Sequence, residues 1–226
     1  MNAPVIVQYW HAAPPPEVKT LMDSWKAAED EGFRYLRFDD EQAQVFIQEH
    51  FGDRALAAYR DCAVAAMKAD LFRVCALLVR HGIYVDADTR RTGVVGRRRD
   101  EPARAPLMPL FERLPRGLLF RREGRVANGF IVVKRPQDEL LRALLSTAIE
   151  NIERRVSNNV YLVTGPGVTT KLFNTLGADH SYFKGFEFWT EQELLPYMRM
   201  VGGLPYKSGE DHWVNAQKVR SIFASR

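Results

Sequence analysis

Two aspartates separated by one alanine, Asp86 and Asp88, directly follow a short apolar stretch of the sequence. Two like charges at the end of a buried strand repel each other and lose hydration, so they are costly unless a cation joins them. Mg²⁺ and Mn²⁺ prefer oxygen ligands, often one or two carboxylates together with substrate phosphates. Residues i and i+2 of extended backbone point the same way, so we expect both carboxylates to meet one divalent cation, or a cation and a neighbouring hydroxyl.

A second pair of charged residues precedes the aspartates. Asp70 and Arg73 lie three positions apart in a stretch rich in Ala, Leu and Met, so a helix would place them on one face. That helix leads directly into the strand that carries the aspartates. A carboxylate and a guanidinium beside a metal can hold sugar hydroxyls and diphosphate oxygens. The alternative is a local ion pair on a solvated face.

The first half of the sequence alternates between strand and helix. We predict strands at 5–10, 33–39 and 83–85 and helices at 17–31, 41–50 and from 55 onward. Gly32 and Gly52 are the expected terminators of the first two helices, and a break is expected near Asp61. Strand, helix, strand is the opening of an alternating α/β sheet, whose ligands bind beyond the carboxyl ends of the strands, where Asp86 and Asp88 lie.

The second half of the sequence is less regular. Residues 89–117 contain Gly, Pro and Arg without a durable hydrophobic period. Beyond them we predict an antiparallel strand pair at 118–121 and 129–134, a helix at 136–155, a short strand at 160–163 and a helix at 168–176.

Composition limits the class of protein. The chain has 226 residues, of which 46% are hydrophobic and 27% charged, as in ordinary folded proteins of one domain. It has no apolar run of about 18 residues and no N-terminal signal pattern, so we expect a cytoplasmic protein. Cys62 and Cys75 fall in helical sequence roughly 20 Å apart, beyond disulfide reach, and are expected to be buried thiols.

The motifs together resemble a known family. The stretch QYWHAAPPPEV, a following SW, and then AMKADLFRVCALLVRHGIYVDAD resemble the DXD-containing sugar transferases of glycosyltransferase family 32, which include α-1,6-mannosyltransferase-like and capsule-synthesis enzymes. The Asp-x-x-Arg helix followed by D-x-D is also similar to glucosylating bacterial toxins. The resemblance covers about residues 4–90. Members usually show two glycines before the tyrosine of this strand, whereas this chain has His81 and Gly82.

The resemblance implies an α/β fold over residues 1–226 as a GT-A-like single domain. A Rossmann-like mixed sheet flanked by helices would bind the nucleotide sugar in about residues 1–90. A more irregular half, about residues 118–226, would bind the acceptor and close the site.

The resemblance also implies roles for residues that match the family motif. Trp10 matches the aromatic residue that stacks on the nucleotide base, with a core tryptophan as the alternative. Asp70 and Arg73 match the contacts to the donor sugar. Asp86 matches the residue shared between sugar or ribose and metal, and Asp88 matches the direct metal ligand.

Later residues have weaker counterparts in the family. His212 and Trp213 match a histidine and an aromatic residue that close over the metal and the diphosphate, so His212 is a candidate metal ligand and Trp213 a candidate substrate contact. Both also suit a structural role. Asn128 resembles an asparagine near the reacting sugar. The TGP that begins with Thr164 and Gly165 resembles part of the acceptor wall, with a turn before a helix as the alternative.

The function implied is a metal-dependent retaining glycosyltransferase. It would move a hexose from a UDP- or GDP-sugar to a glycan, lipid-linked or other hydroxyl acceptor, with Mn²⁺ or Mg²⁺ as cofactor. Charge grows on the departing diphosphate, and a metal at Asp88 together with Arg73 would stabilise it most in the transition state. The sequence leaves open whether a side chain acts as covalent nucleophile or the acceptor attacks on the leaving group's face.

Basic residues crowd the segment that follows the aspartates: Arg90, Arg91, Arg97, Arg98, Arg99 and Arg104. A solvated loop is one interpretation. The functional one is a clamp at the rim of the site on an anionic acceptor, or peripheral attraction to an anionic membrane surface. No nucleic-acid motif accompanies these charges, so no nucleic-acid partner is expected.

Two other functions fit an apolar strand followed by D-x-D. Haloacid-dehalogenase phosphatases use such a motif with Thr or Val at its fifth position, where this chain has Arg90. In a non-catalytic basic module that binds sugar nucleotides or other anions, Asp86 and Asp88 would only cap a turn.

Overall fold

The structure is a computed structural model that describes residues 3–93, 104–210 and 212–225. Its strands are β1 (Val5–Tyr9), β2 (Arg34–Phe38), β3 (Gly82–Val85), β4 (Thr89–Arg91), β5 (Gly117–Arg122), β6 (Arg125–Val133), β7 (Phe186–Thr190) and β8 (Met198–Met200). Its α-helices are α1 (Pro16–Asp23), α2 (Asp40–Asp61), α3 (Ala65–Val79), α4 (Leu107–Arg113), α5 (Glu139–Glu153), α6 (Val160–Val163), α7 (Pro166–Leu176), α8 (Glu191–Leu194) and α9 (Trp213–Val219). Two 3₁₀ turns occupy Ser24–Glu31 and Pro205–Ser208.

Six strands form one mixed sheet in the order β2, β1, β3, β6, β5, β7. The strands β2, β1 and β3 are parallel, with Val5 opposite both Arg34 and Gly82. Strand β6 runs antiparallel to β3 and β5, while β5 and β7 are parallel. This arrangement confirms the predicted α/β class with a mixed sheet, and it places strands from both halves of the sequence side by side.

Both faces of the sheet are buried. Along β1, Val5, Val7 and Tyr9 pack into the core that α2, α3 and α5 cover, whereas Ile6 packs into a second core on the opposite face with Trp25. Successive side chains of a strand point to opposite faces, so a strand covered on both sides is apolar throughout. The apolar composition of β1 follows from this position.

The predicted helix at 17–31 is an α-helix only as far as Asp23 and continues as the 3₁₀ turn Ser24–Glu31, whereas the break at Gly52 and the helix end near Asp61 are as predicted. Asp39 caps α2 in a reciprocal capping box with Gln42, and α2 ends at Asp61 as expected. Gly52 interrupts the helix, as the prediction of a terminator at this position required. It forms a kink with φ 73° and ψ −169°, and helical structure resumes on its far side.

Two segments differ from the prediction. Residues 160–163 form the helix α6 and not a strand, because the Asn159 side chain accepts a hydrogen bond from the Tyr161 amide and starts a helical turn. The stretch 89–117, predicted to be irregular, contains β4 and α4 among its described residues. Strand β4 pairs with β8, which links the segment after Asp88 to the C-terminal part of the chain.

Arg91 is a structural residue and not part of a solvated rim. Its side chain is fully buried and donates to the carbonyls of Tyr197 (2.7 Å) and Ala105 (2.5 Å) and to the carboxylate of Glu31 (3.1 Å). Nearby, a β-carbon built on Gly93 would lie 3.0 Å from the β-carbon of Arg104.

Arg97, Arg98 and Arg99 lie outside the described residues. Within the described part of the chain, no helix combines the length and the apolar character needed to cross a bilayer. Cys62 and Cys75 are buried free thiols, as predicted.

Candidate active site

Asp86 and Asp88 lie at the carboxyl end of β3, at the edge of the sheet where the parallel strands β1 and β2 also end. Their backbone is a turn and not extended chain, because the amide and hydroxyl of Thr89 both donate to the carbonyl of Asp86, at 3.1 and 2.6 Å. The expectation of strand-like alternation is therefore wrong. The charge of Asp88 nevertheless contributes to the raised pKa of Asp86, so the two carboxylates act on each other.

A buried ion-pair chain connects the turn to helix α3. The Nη2 atom of Arg73 lies 2.9 Å from Oδ1 of Asp70 and 3.2 Å from Oδ1 of Asp86. The side chains of Arg73 and Asp70 are only 5% and 7% exposed, whereas Asp86 is 36% exposed. The shared helical face is confirmed, and the alternative of a solvated surface pair is wrong.

Hydrogen bonds from α3, from β6 and from Thr164 hold the ion pairs of Arg73 in place. Asn128 on β6 donates its amide to Oδ1 of Asp70 (2.8 Å), and Thr164 donates its hydroxyl to Oδ2 (3.1 Å). Arg73 donates from Nη1 to the carbonyl of Asn128 (2.5 Å) and from Nε to the carbonyl of Ala69 (3.2 Å). Asp70, Arg73, Asn128 and Thr164 thus form one buried cluster.

The TGP motif also begins a helix, as in the plainer of the two interpretations. Gly165 is the N-cap residue of α7 and Pro166 its first residue. Proline is favoured there because its missing N–H would have no partner inside the helix. Thr164, which directly precedes the N-cap of α7, therefore reaches the cluster from the N-terminal end of that helix.

Burial and charge shift the titration of the cluster. Burial raises the pKa of Asp70 to about 6, against the opposing effect of the Arg73 guanidinium. Burial also raises the pKa of Asp86, which Arg73 lowers in part. Burial acts to lower the pKa of Arg73, but the neighbouring carboxylates of Asp86 and Asp70 outweigh it, so Arg73 stays cationic.

Asp88 has a cationic partner of its own. Lys207 Nζ lies 2.6 Å from its Oδ2 atom, and the Tyr206 hydroxyl donates to the same oxygen at 3.3 Å. The amide of Val201 donates to the Asp88 carbonyl (2.9 Å). The C-terminal part of the chain therefore reaches the aspartates through the 3₁₀ turn Pro205–Ser208.

Trp10 and His212 also lie around this turn. Trp10 is half-buried and packs edge-to-face against Tyr206, with ring centroids 5.1 Å apart. The His212 ring lies 6.0 Å from the Tyr206 ring, and its buried Nδ1 atom has no hydrogen-bond partner among the residues that the structure describes. Burial and the Lys207 charge lower the pKa of His212, so its imidazole is neutral at pH 7. Trp213, half-buried, packs partly against the larger core.

Comparisons with known proteins bear on the fold. The glycosyltransferase PaToxG matches with a TM-score of 0.53 at 18% identity, over 80% of this chain and 72% of that one. The fold is GT-A-like. A UDP-bound glycosyltransferase domain from the YGT toxin matches with a TM-score of 0.44 at 11% identity, over 76% of this chain and 55% of that one. No protein-family model and no curated protein matches the sequence.

The two aspartates offer oxygen atoms that suit a divalent cation, but two carboxylates are too few to hold the ion without further ligands. Both side chains are partly exposed, Asp86 by 36% and Asp88 by 23%, and both offer hard oxygen atoms. Among residues 3–93, 104–210 and 212–225, however, no three His, Cys, Asp or Glu side chains group to hold a metal. Two carboxylates with substrate phosphates are a usual Mg²⁺ site, so they fit an ion that arrives with a diphosphate. The assignment of His212 as a ligand stays a prediction.

The sequence interpretation missed several residues that surround Asp86 and Arg73. Gln8, fully buried in β1, donates to the carbonyl of Asp86 (3.3 Å) and accepts from the Tyr35 hydroxyl (2.9 Å). The Arg73 guanidinium lies 4.6 Å from the centre of the Tyr84 ring. A glutamine inside an apolar strand is the one sequence feature that could have indicated Gln8, because a buried amide needs partners.

Proposed function

We propose that the chain is a glycosyltransferase that transfers a hexose from a nucleotide-diphosphate sugar to a hydroxyl acceptor. The observation that carries the proposal is the buried Arg73, which holds Asp70 and Asp86 together at the carboxyl edge of the parallel strands. Ligands of open α/β sheets bind at this edge. Burying the Asp70 carboxylate and the Arg73 guanidinium is costly, and a site that must present an oriented charge at Asp86 is a reason to retain them.

The reaction breaks the bond between the anomeric carbon and the diphosphate oxygen. That oxygen keeps the electron pair, and the acceptor hydroxyl forms the new bond to carbon and loses its proton. Negative charge therefore grows on the diphosphate, and groups that stabilise this charge most in the transition state accelerate the reaction.

Arg73 acts in this proposal by positioning and not by touching the diphosphate. Its side chain is 5% exposed, and its guanidinium already pairs with the carboxylates of Asp70 and Asp86 and donates to the carbonyls of Asn128 and Ala69. We therefore assign it the task of holding the Asp86 carboxylate in place. This differs from the direct stabilising role that the sequence suggested.

The donor would lie between Trp10 and the buried cluster. Asn128 would face the sugar hydroxyls and Asp86 the sugar or ribose. Asp70, which the resemblance assigns to the donor sugar, is 7% exposed and accepts from Asn128 and Thr164, so it would act by holding Asn128 in place. Trp10 stacks on the base once the Tyr206 ring, now 5.1 Å away, moves aside. The Thr164 hydroxyl, which donates to Oδ2 of Asp70 at 3.1 Å, would lie next to the acceptor wall.

A divalent cation, Mn²⁺ or Mg²⁺, belongs to the proposal. Asp86 and Asp88 would hold it, with His212 as a further candidate ligand and Trp213 closing over it. When bound, it would neutralise charge on the departing diphosphate. The Val201 amide fixes the backbone of Asp88 by donating to its carbonyl, 2.9 Å away.

The finer features of the proposal come from the sequence resemblance. They are membership of glycosyltransferase family 32, a retaining mechanism, UDP or GDP as the nucleotide, a glycan or lipid-linked acceptor, and a cytoplasmic location, with peripheral contact to an anionic membrane as one use of the basic segment.

Hydrolysis and transfer assays test the function. UDP- and GDP-sugars are incubated with the protein and Mn²⁺, and release of the nucleoside diphosphate is measured. Asp88→Asn should lower the rate at least about 100-fold, since it removes one ligand charge where the leaving group is stabilised. Asp179→Asn, at an exposed turn, is the matched control and should leave the rate unchanged. Absence of release with every sugar would favour the non-catalytic module.

A further inference from the structure

The 3₁₀ turn Pro205–Ser208 places a lysine on the oxygen that a divalent ion would use. Lys207 Nζ lies 2.6 Å from Asp88 Oδ2 and also donates to the carbonyl of Val201 at 3.0 Å. Its side chain is 29% exposed, so the ammonium is partly screened from water. Tyr206, next to it, contacts both Asp88 and Trp10.

An ammonium and a divalent ion cannot share this oxygen in their present positions. A Mg²⁺ or Mn²⁺ ion would sit about 2.1 Å from a carboxylate oxygen, which brings it within a few ångströms of Lys207 Nζ. Charges of the same sign repel strongly at that range. Lys207 must therefore leave Asp88 when an ion binds there.

The displaced ammonium has a new partner close by. An ion held by two carboxylates completes its shell with phosphate oxygens of the donor, and these bring at least two negative charges to the same place. The flexible four-carbon stem of lysine lets the ammonium follow such charges without movement of the backbone. The ammonium itself donates to the Val201 carbonyl, which places it beside the turn that holds Asp88 before a donor binds.

We propose that Lys207 and the divalent ion are alternative partners of Asp88, and that Lys207 passes from Asp88 to the donor's diphosphate when the site fills. The inference rests on the proposed function and extends it: Lys207 weakens binding of the ion alone and strengthens binding of the ion with a nucleoside diphosphate. Lys207 is thus a further residue that recognises the leaving group.

A purely structural lysine would behave differently. If Lys207 only fastened the turn to Asp88, its loss would loosen the segment and leave the affinity for the ion alone unchanged or weaker. The proposal requires the opposite change for the ion alone, together with weaker binding of the nucleoside diphosphate. The two measurements separate the roles without reference to catalysis.

The test uses the full chain with Lys207→Gln and Lys207→Arg. Mn²⁺ binding without nucleotide is followed by the electron paramagnetic resonance of the free ion, and binding of UDP and GDP at saturating Mn²⁺ by calorimetry. Lys207→Gln should bind Mn²⁺ about tenfold more tightly and the diphosphates about tenfold more weakly, as expected for one partly screened charge. Lys207→Arg should stay within about threefold of the wild type in both.

A matched control and the opposing results complete the design. Tyr206→Phe removes the 3.3 Å bond to Asp88 but no charge, so both affinities should change by less than about threefold. Unchanged or weaker Mn²⁺ binding by Lys207→Gln, at an ion site that Asp88→Asn abolishes, overturns this inference alone. Mn²⁺ binding that Asp88→Asn does not affect overturns it together with the metal site of the proposed function, and the sugar-nucleotide assay then decides the function separately.

Discussion

The carboxylate of Asp86 lies directly against the backbone of Gly129 on the neighbouring strand β6. The Asp86 amide donates to the Gly129 carbonyl at 2.9 Å, and a β-carbon at position 129 would lie 2.5 Å from Oδ2 of Asp86. Glycine inside a strand often marks such a close approach. The orientation of Asp86 therefore depends on the absence of a side chain at this position.

We expect Gly129→Ala to displace Asp86 while the fold survives. The new methyl group pushes the carboxylate away from Arg73, so donor hydrolysis should fall at least about tenfold and stability by about 1–3 kcal/mol. Rates and urea unfolding measure the two effects. Gly202→Ala is the control, because a β-carbon there meets open space, and it should change neither quantity. A fully active Gly129→Ala would show that the orientation of Asp86 is unimportant.

Replacement of Arg73 by methionine should strongly destabilise the protein. It leaves the buried carboxylate of Asp70 and the partly exposed carboxylate of Asp86 without their cation, which costs about 3–5 kcal/mol in the free energy of unfolding at pH 7. The double variant Asp70→Asn with Arg73→Met should be more stable than the sum of the single changes predicts, by at least about 1 kcal/mol. Lys19→Met, which breaks an ion pair on the surface, should cost less than about 1 kcal/mol. If the stability losses of Asp70→Asn and Arg73→Met simply add in the double variant, the ion pair between Asp70 and Arg73 is contradicted.

The raised pKa of Asp70 makes its contribution to stability depend on pH. Its pKa is about 6 in the folded protein and about 3.9 in an unfolded chain, so the folded state binds the proton more tightly. The contribution is fully present below about pH 4 and is lost as the pH rises through 6.

Unfolding of the wild type and of Asp70→Asn should therefore be compared between pH 4 and 7.5. The difference in free energy, wild type minus variant, should fall by about 2–3 kcal/mol over this range and then level off. A difference that rises with pH would show that the pKa of Asp70 is lowered and that Arg73 outweighs burial.

Glycine is required at Gly82, the first residue of β3, and not at position 81. Gly82 has φ +150°, and a β-carbon there would lie 2.1 Å from the carbonyl oxygen of Val5. Gly82→Ala should therefore cost at least about 3 kcal/mol or prevent folding. His81→Gly should cost only about 0.5–1 kcal/mol, through the added freedom of the unfolded chain. Urea unfolding measures both, and a stable Gly82→Ala protein would contradict the close contact.

The sequence predicted the parts of the fold that local patterns determine. The parallel strands, the helix with Asp70 and Arg73 and the position of Asp86 follow from hydrophobic period and composition. Residues 160–163 were assigned wrongly because a four-residue apolar run fits a strand as well as a helix, and the capping bond of Asn159 decided the outcome. Helix α4 was missed because prolines and arginines hide its apolar contacts.

The site was predictable only where its residues are close in sequence. Asp70, Arg73, Asp86 and Asp88 lie on consecutive elements, so spacing indicated their meeting. Lys207 is 119 positions from Asp88 in the numbering and belongs to no motif, and only the tertiary structure brings it there. Contacts between distant segments depend on the whole topology, which one sequence pattern does not contain.

The neighbourhood of Gly93 and Arg104 has a consequence for engineering. Because a β-carbon on Gly93 would lie 3.0 Å from that of Arg104, the two residues that flank positions 94–103 lie side by side, close in sequence to the buried Arg91. Loop-closure entropy changes slowly with length, so the ten positions between these two residues can be shortened, or exchanged for a reporter peptide, without pulling on the sheet. A label introduced there would sit a few residues from Asp88 and could follow donor loading in real time.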